Sequence, residues 1–135
     1  MVLADTCIWI DLLRKRKSPA VAALKMLLEA EEMVLAPVIL QEILQGARSP
    51  AALARLRERF SALPMLMPTL AVYALAGELY ACCRWQGVTI RSPHDCLIAA
   101  LAIEHDTPLL HEDRDFERIA EIEPGLRLWT PADVP

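Results

Sequence analysis

An α/β fold, a three-layer sandwich with a central and mostly parallel sheet, is what this sequence predicts. Three observations carry that prediction. Short apolar runs at Met1–Ala4, Met33–Ala36 and Leu109–Leu110 read as buried strands. Between them lie stretches with apolar residues at helical spacing, opened by Ser, Thr or Pro. Strands that alternate with helices pair in parallel and are covered on both faces. The length of 135 residues suits one domain spanning 1–135, large enough to bury about two-thirds of its unfolded surface.

The first strand ends at Asp5. A helix over Thr6–Arg14 follows, with Ile8, Trp9, Leu12 and Leu13 as its apolar positions. Pro19 stands near the start of a second helix whose buried stripe is Val21, Leu24, Leu27 and Leu28. After the strand at Met33–Ala36, Pro37 suits the first turn of a third helix and Gly46 its end. Ser49-Pro50 opens a fourth, running to about Leu63, and Met65–Met67 reads as a short strand. Thr69 caps a long helix that reaches Gln86, with Gly87 as the stop. Ser92-Pro93 starts the next helix, which ends near His105. Asp113 caps a last short helix, and Leu126–Trp129 reads as an edge strand.

Composition narrows the function classes. The hydrophobic fraction of 55% is somewhat high for a soluble domain, so part of it is expected to face a partner. A net charge of -4 argues against a general nucleic-acid coat protein and leaves a local basic groove open. Cys7, Cys82, Cys83 and Cys96 show no C-x-x-C pair and no zinc spacing, and read as buried reduced thiols suited to the cytoplasm. The start, Met-Val-Leu-Ala-Asp, has no basic n-region and no long apolar run, so no signal peptide is expected. The longest uncharged stretch, Ser61 to Gly77, is broken by Pro64 and Pro68 and falls short of a membrane span.

Four acids fall where a parallel sheet binds ligands, outside the carboxyl ends of its strands. Asp5 closes the first strand. Glu42 lies a turn or more into the helix after the second. Asp95 is in the first turn of its helix, and Asp113 follows the strand at Leu109-Leu110. Converging carboxylates repel, and a hard divalent cation with oxygen ligands, Mg²⁺ or Mn²⁺, resolves that repulsion. The four carboxylates should then gather within about 10 Å. Each acid also has a structural role open to it. Asp95 can complete a capping box with Ser92. Asp113 can serve as an N-cap, and Asp115 as a first-turn dipole partner. Glu42 can be a solvated edge residue, although Val38, Ile39, Ile43 and Leu44 surround it.

The motifs Leu3-Ala4-Asp5-Thr6, Gln41-Glu42, Pro93-His94-Asp95-Cys96-Leu97-Ile98-Ala99-Ala100 and Leu109-Leu110-His111-Glu112-Asp113-Arg114-Asp115-Phe116-Glu117-Arg118-Ile119 run through nearly the whole chain. In order and spacing the chain resembles the PIN domain and, within it, the VapC toxins. The last two blocks are specific; Asp-Thr after a strand is weak by itself. The resemblance implies metal-ligand roles for Asp5, Glu42, Asp95 and Asp113, an assisting role for Thr6, and a secondary one for Asp115. It implies Mg²⁺- or Mn²⁺-dependent hydrolysis of RNA phosphodiester bonds. It also implies two protein partners, a VapB-type antitoxin and a second copy of the chain. One position departs from the pattern: many relatives have Thr or Ser where this chain has His111. A histidine on the surface or just behind the metal ligands is the expectation there, with contact to the scissile phosphate as the alternative, and His94 and His105 are given no chemistry.

An acidic pocket needs basic surroundings to draw RNA. Arg91 and Arg114 lie nearest the acidic motifs in sequence and rank first for RNA contact. Arg14, Lys15, Arg16 and Lys17 form one basic cluster, and Arg55, Arg57 and Arg59 another. Both clusters read equally as phosphate-tracking surfaces or as solubilising faces. A receiver-like phospho-aspartate module is a distant alternative. It wants a lysine near the last strands, and the lysines are Lys15, Lys17 and Lys25. A PIN nuclease of RNA processing that has no antitoxin is the nearer alternative.

Overall fold

Val2–Ala4 (β1) is the middle strand of the sheet, and all three of its residues are buried. Successive strand residues point to opposite faces, so burial of all three means that both faces of the sheet are covered. The computed structural model describes residues 1–130; the end of the expected domain, 131–135, lies outside the described residues. Helices Thr6–Leu13 (α1) and Pro19–Glu29 (α2) follow β1, then strand Met33–Val34 (β2). Next come helices Pro37–Gln45 (α3), Pro50–Ser61 (α4), Leu70–Trp85 (α5) and Pro93–Glu104 (α6). Strand Leu109–Leu110 (β3) and helix Arg114–Ile122 (α7) complete the described elements.

The sheet has the order β2-β1-β3, all parallel, with Val2 opposite Met33 and Leu3 opposite Leu109. Parallel pairing puts the carboxyl ends of all three strands on one edge. The element order follows the sequence reading closely. The segments expected as strands at Met65–Met67 and Leu126–Trp129 each contribute a single parallel bridge, Leu35 with Met65 and Leu109 with Leu128.

The helices start where the sequence punctuates them. Pro19, Pro37, Pro50 and Pro93 occupy first-turn positions, where the missing N–H costs nothing. Ser18 and Ser49 accept the Val21 and Ala52 N–H groups at 3.1 and 3.0 Å. Gly87 stops α5 with φ at +80°, a left-handed conformation that favours glycine. The α5–α6 pair forms the largest helix contact. Val72, Ala76, Leu79 and Cys83 of α5 face a helix that is buried over much of its length, from Cys96 to Ala102. On the other side of the molecule Trp9 of α1 meets Phe60 of α4 edge-on, ring centroids 5.3 Å apart. Phe60 is the one fully buried residue of α4, with Leu56 packed beside it against the core, and Arg55, Arg57 and Arg59 are left in solvent.

One composition-based expectation is corrected. Cys83 and Cys96 are buried, but Cys82 is half-buried and Cys7 is exposed; all four are free thiols. Cys7 follows the strand by only three residues, and α1 turns it away from the core that Ile8 and Trp9 fill. No helix among the described residues is long and apolar enough to cross a membrane.

Candidate metal centre

The strand ends build the site. Asp5 directly follows β1; its N–H donates to the Leu110 carbonyl at 2.9 Å, which pins it to the edge of the sheet. Asp113 follows β3 and is the N-cap of α7, accepting the Asp115 N–H at 2.9 Å. Helix α6 runs into β3, so its first turn, with Asp95, lies at the same edge. Glu42 stands in the second turn of α3, and the Thr6 hydroxyl at the start of α1 donates to its Oε1 at 2.8 Å.

The tightest group is Asp95, Asp113 and Asp115, each offering a carboxylate oxygen, all within 4.8 Å of one another. Asp5 and Glu42 lie outside this triad and act on it through their charge. Burial lifts the Asp5 carboxyl to about 6, with Glu42 and Asp113 adding to the rise and the Thr6 N–H opposing it. Asp95 is pushed up to about 7, first by burial and then by the fields of Asp5, Asp113, Asp115 and Glu42. These shifts signal negative charge that the protein does not fully neutralise. Ser92 makes no side-chain cap bond, so the capping box open to Asp95 in the sequence does not form. The N-cap role open to Asp113 does form, because its carboxylate caps α7.

The donor set fits a hard cation. It is all carboxylate oxygen, its spacing matches a coordination sphere with bonds of about 2.0–2.6 Å, and its charge is under-compensated.

The basic side chains divide. Arg91 Nη2 donates to both oxygens of Asp113 at 3.0 and 2.9 Å. Arg118 Nη1 donates to Asp115 at 3.4 Å. Arg16 pairs with Asp11 at 3.2 Å, and Arg14 and Arg114 are exposed. His111 Nδ1 lies 3.1 Å from the Asp113 carbonyl oxygen and its ring meets Phe116, so it supports the loop that carries Asp113.

Two neighbours of the site were not singled out in the sequence. His94 Nδ1 lies 3.7 Å from Glu42 Oε2. Its signal was position, one residue before Asp95 in the first turn of α6. Cys7 lies beside Asp5, where desolvation and the fields of Asp5 and Asp113 raise its thiol to about 11. That rise favours the protonated thiol at neutral pH.

A sheet edge of this kind takes its carboxylates from two strand ends, Asp5 and Asp113, and from helices α3, α6 and α7. The chain belongs to the PIN-domain family, whose profile matches residues 2–122. Among its relatives, ribonuclease VapC11 of Mycobacterium tuberculosis is 38% identical over 125 residues, 90% of this chain and 93% of the relative. Two solved structures share the fold. That of VapBC2 from Rickettsia felis, bound to a DNA fragment from their promoter, has a TM-score of 0.73 at 23% identity, covering 96% of this chain and 100% of the other. A toxin-antitoxin complex from Klebsiella pneumoniae has a TM-score of 0.69 at 20% identity, covering 99% and 100%.

Proposed function

We propose that this chain is a cytoplasmic endoribonuclease that depends on Mg²⁺ or Mn²⁺ and acts as the toxin of a VapBC-type toxin–antitoxin pair. The observation that carries the reading is the convergence of Asp5, Glu42, Asp95, Asp113 and Asp115 on one sheet edge, with Asp5 and Asp95 held well above the ordinary carboxylate range. The ribonuclease relative supplies the reaction class, and the toxin–antitoxin complexes that share the fold supply the kind of partner.

Asp95, Asp113 and Asp115 would hold the ion, with Asp5 and Glu42 completing its surroundings. When bound, the ion supplies Lewis acidity, which lowers the pKa of water and offsets charge building on the phosphodiester. The protein does the rest. Thr6 holds the Glu42 carboxylate in one orientation. His111 fixes the Asp113 loop. Arg91, Arg114, Arg14 and Arg16 are the candidates for phosphate contact, and their contribution should weaken as salt rises. A second copy of the chain would meet the exposed face of α5, where Leu70 is 86% and Tyr73 55% exposed and Ala71, Ala74 and Gly77 permit close approach.

The deciding experiment is expression of the chain alone and with the small protein encoded beside it, followed by mapping of RNA cut sites. Growth arrest with discrete new RNA ends, relieved by the neighbour, is the expected outcome. Cleavage that no neighbouring protein relieves would leave a PIN nuclease without an antitoxin; absence of cleavage would overturn the reading.

Thr6→Val provides a finer test. Valine keeps the shape of this buried residue and removes its hydroxyl, so the Glu42 carboxylate loses its fixed partner. Loss of such a support lowers activity about 10- to 100-fold. The melting temperature should move little, because Glu42 is partly exposed and water can replace the hydroxyl. Undiminished cleavage would reduce Thr6 to packing.

A further inference from the structure

Arg91 is held by two different kinds of contact. Its backbone N–H donates to Asp115 Oδ2 at 3.1 Å, and Ile90 before it is buried in the core. That part of the residue is fixed. Its side chain is 76% exposed, and among the described residues its guanidinium hydrogen-bonds only to carboxylates, both oxygens of Asp113 through Nη2 and Asp115 through Nε at 3.5 Å.

Asp113 and Asp115 are also two of the three members of the tight acidic triad. Asp113 Oδ1 already accepts the Asp115 N–H and Arg91 Nη2, and Oδ2 accepts Arg91 as well. A divalent cation and the guanidinium would therefore compete for the same oxygens, and would repel each other if both stayed there. The pair is close but solvent-exposed on the arginine side, so opening it costs little more than one surface ion pair. The arginine head can swing about its fixed backbone without any change in the fold.

We propose that Arg91 is the resident cation on Asp113 in the metal-free centre, that it leaves Asp113 when a divalent cation binds, and that its freed guanidinium then takes a phosphate of the RNA. Metal binding thereby arms substrate binding. The inference rests on the metal-centre reading above and adds to it an exchange on Asp113. Arginine suits the second half of the exchange, because its planar fork matches phosphate as well as carboxylate.

The test measures Mn²⁺ binding directly, by calorimetry and by the electron paramagnetic resonance of free Mn²⁺. The proteins are wild type, Arg91→Ala, Arg91→Lys, Lys25→Ala and Asp95→Asn, each checked for folding by circular dichroism. Lys25 is exposed on α2 and removes the same charge away from the centre. Arg91→Ala should bind Mn²⁺ about tenfold or more tightly than wild type, since it deletes a charged competitor. Lys25→Ala should stay within about twofold, and Arg91→Lys, which keeps the charge and loses the fork, should fall between.

A second measurement follows a fluorescent 2′-O-methyl oligoribonucleotide by anisotropy, with its integrity checked afterwards. Saturating Mn²⁺ should raise its affinity for wild type, and the gain should be largely lost in Arg91→Ala. Equal or weaker Mn²⁺ binding by both Arg91 variants overturns the exchange, as does an undiminished Mn²⁺-dependent gain in Arg91→Ala. Asp95→Asn separates this from the underlying reading: if wild type binds Mn²⁺ and Asp95→Asn does not, the centre stands and the Arg91 arms decide. If no protein binds Mn²⁺ at millimolar concentration, the metal centre fails and the exchange with it.

Discussion

Asp95→Asn will abolish RNA cleavage and leave the fold intact. Asp95 stands in the first turn of α6, where its backbone N–H is already satisfied by the Ser92 carbonyl at 3.0 Å. Its carboxylate has no hydrogen-bond partner among the described residues, so an isosteric amide breaks no structural contact. What the amide removes is charge at a position where burial and four neighbouring carboxylates already hold the acid near 7. Such a position is useful only if something positive comes to it. Losing one of three close carboxylate donors should cost more than losing a support, and a fall of at least about a hundredfold in cleavage is expected. The check is cleavage of a synthetic RNA by wild type and variant at equal concentration, with thermal melting beside it. A variant that melts as wild type does and cleaves as well as wild type would remove Asp95 from the centre.

Much of this architecture was legible because local signals and global fold agree. Proline at the first turn of four helices and Gly87 after α5 mark boundaries by backbone chemistry alone, and the structure keeps them. The places of Asp5 and Asp113 were legible because a strand end followed by an acid has a fixed place in a parallel sheet. What was not legible depends on which way a side chain turns. Asp115 looks by position like a helix-dipole partner, with only a secondary role implied by the resemblance, and the fold buries it to 2% exposure beside Asp95 and Asp113. Arg91 looks like a free basic residue; the fold lays it across Asp113. Cys7 looks like any apolar-leaning cysteine until α1 rotates it outward. The two outer segments of the sheet were over-read because apolar residues do not reveal how many ladder bonds form. Pro64 and Pro68 bracket the first of them, and proline has no N–H to extend a ladder.

Without metal, the protein should be more stable at pH 5 than at pH 8, and divalent metal should reverse much of the loss. The sign follows from the direction of the shifts. A carboxyl whose folded pKa is raised holds its proton more tightly in the folded state than in the unfolded one. Stability therefore falls as pH rises from the unfolded value, 3.8, through the folded values of about 6 for Asp5 and about 7 for Asp95. Ionising Asp5 alone in the folded state costs about 3 kcal/mol. The two acids are coupled, so their combined loss between pH 5 and pH 8 is on the order of 2–4 kcal/mol. At about a hundred times its dissociation constant, Mn²⁺ should return roughly 2.7 kcal/mol, several degrees of melting temperature in a domain of this length. Asp5→Asn should then behave unlike an ordinary buried substitution. It keeps the size and one acceptor oxygen and removes an uncompensated charge, so in EDTA at pH 8 it should melt higher than wild type. Its gain on adding Mn²⁺ should shrink, because one of the carboxylates facing the ion is gone. Thermal melts of both proteins at pH 5 and pH 8, each in EDTA and in Mn²⁺ at constant ionic strength, decide the matter. If Asp5→Asn melts below wild type in EDTA at pH 8 and both respond equally to Mn²⁺, Asp5 serves the strand end alone and the charge it carries has no part in the centre.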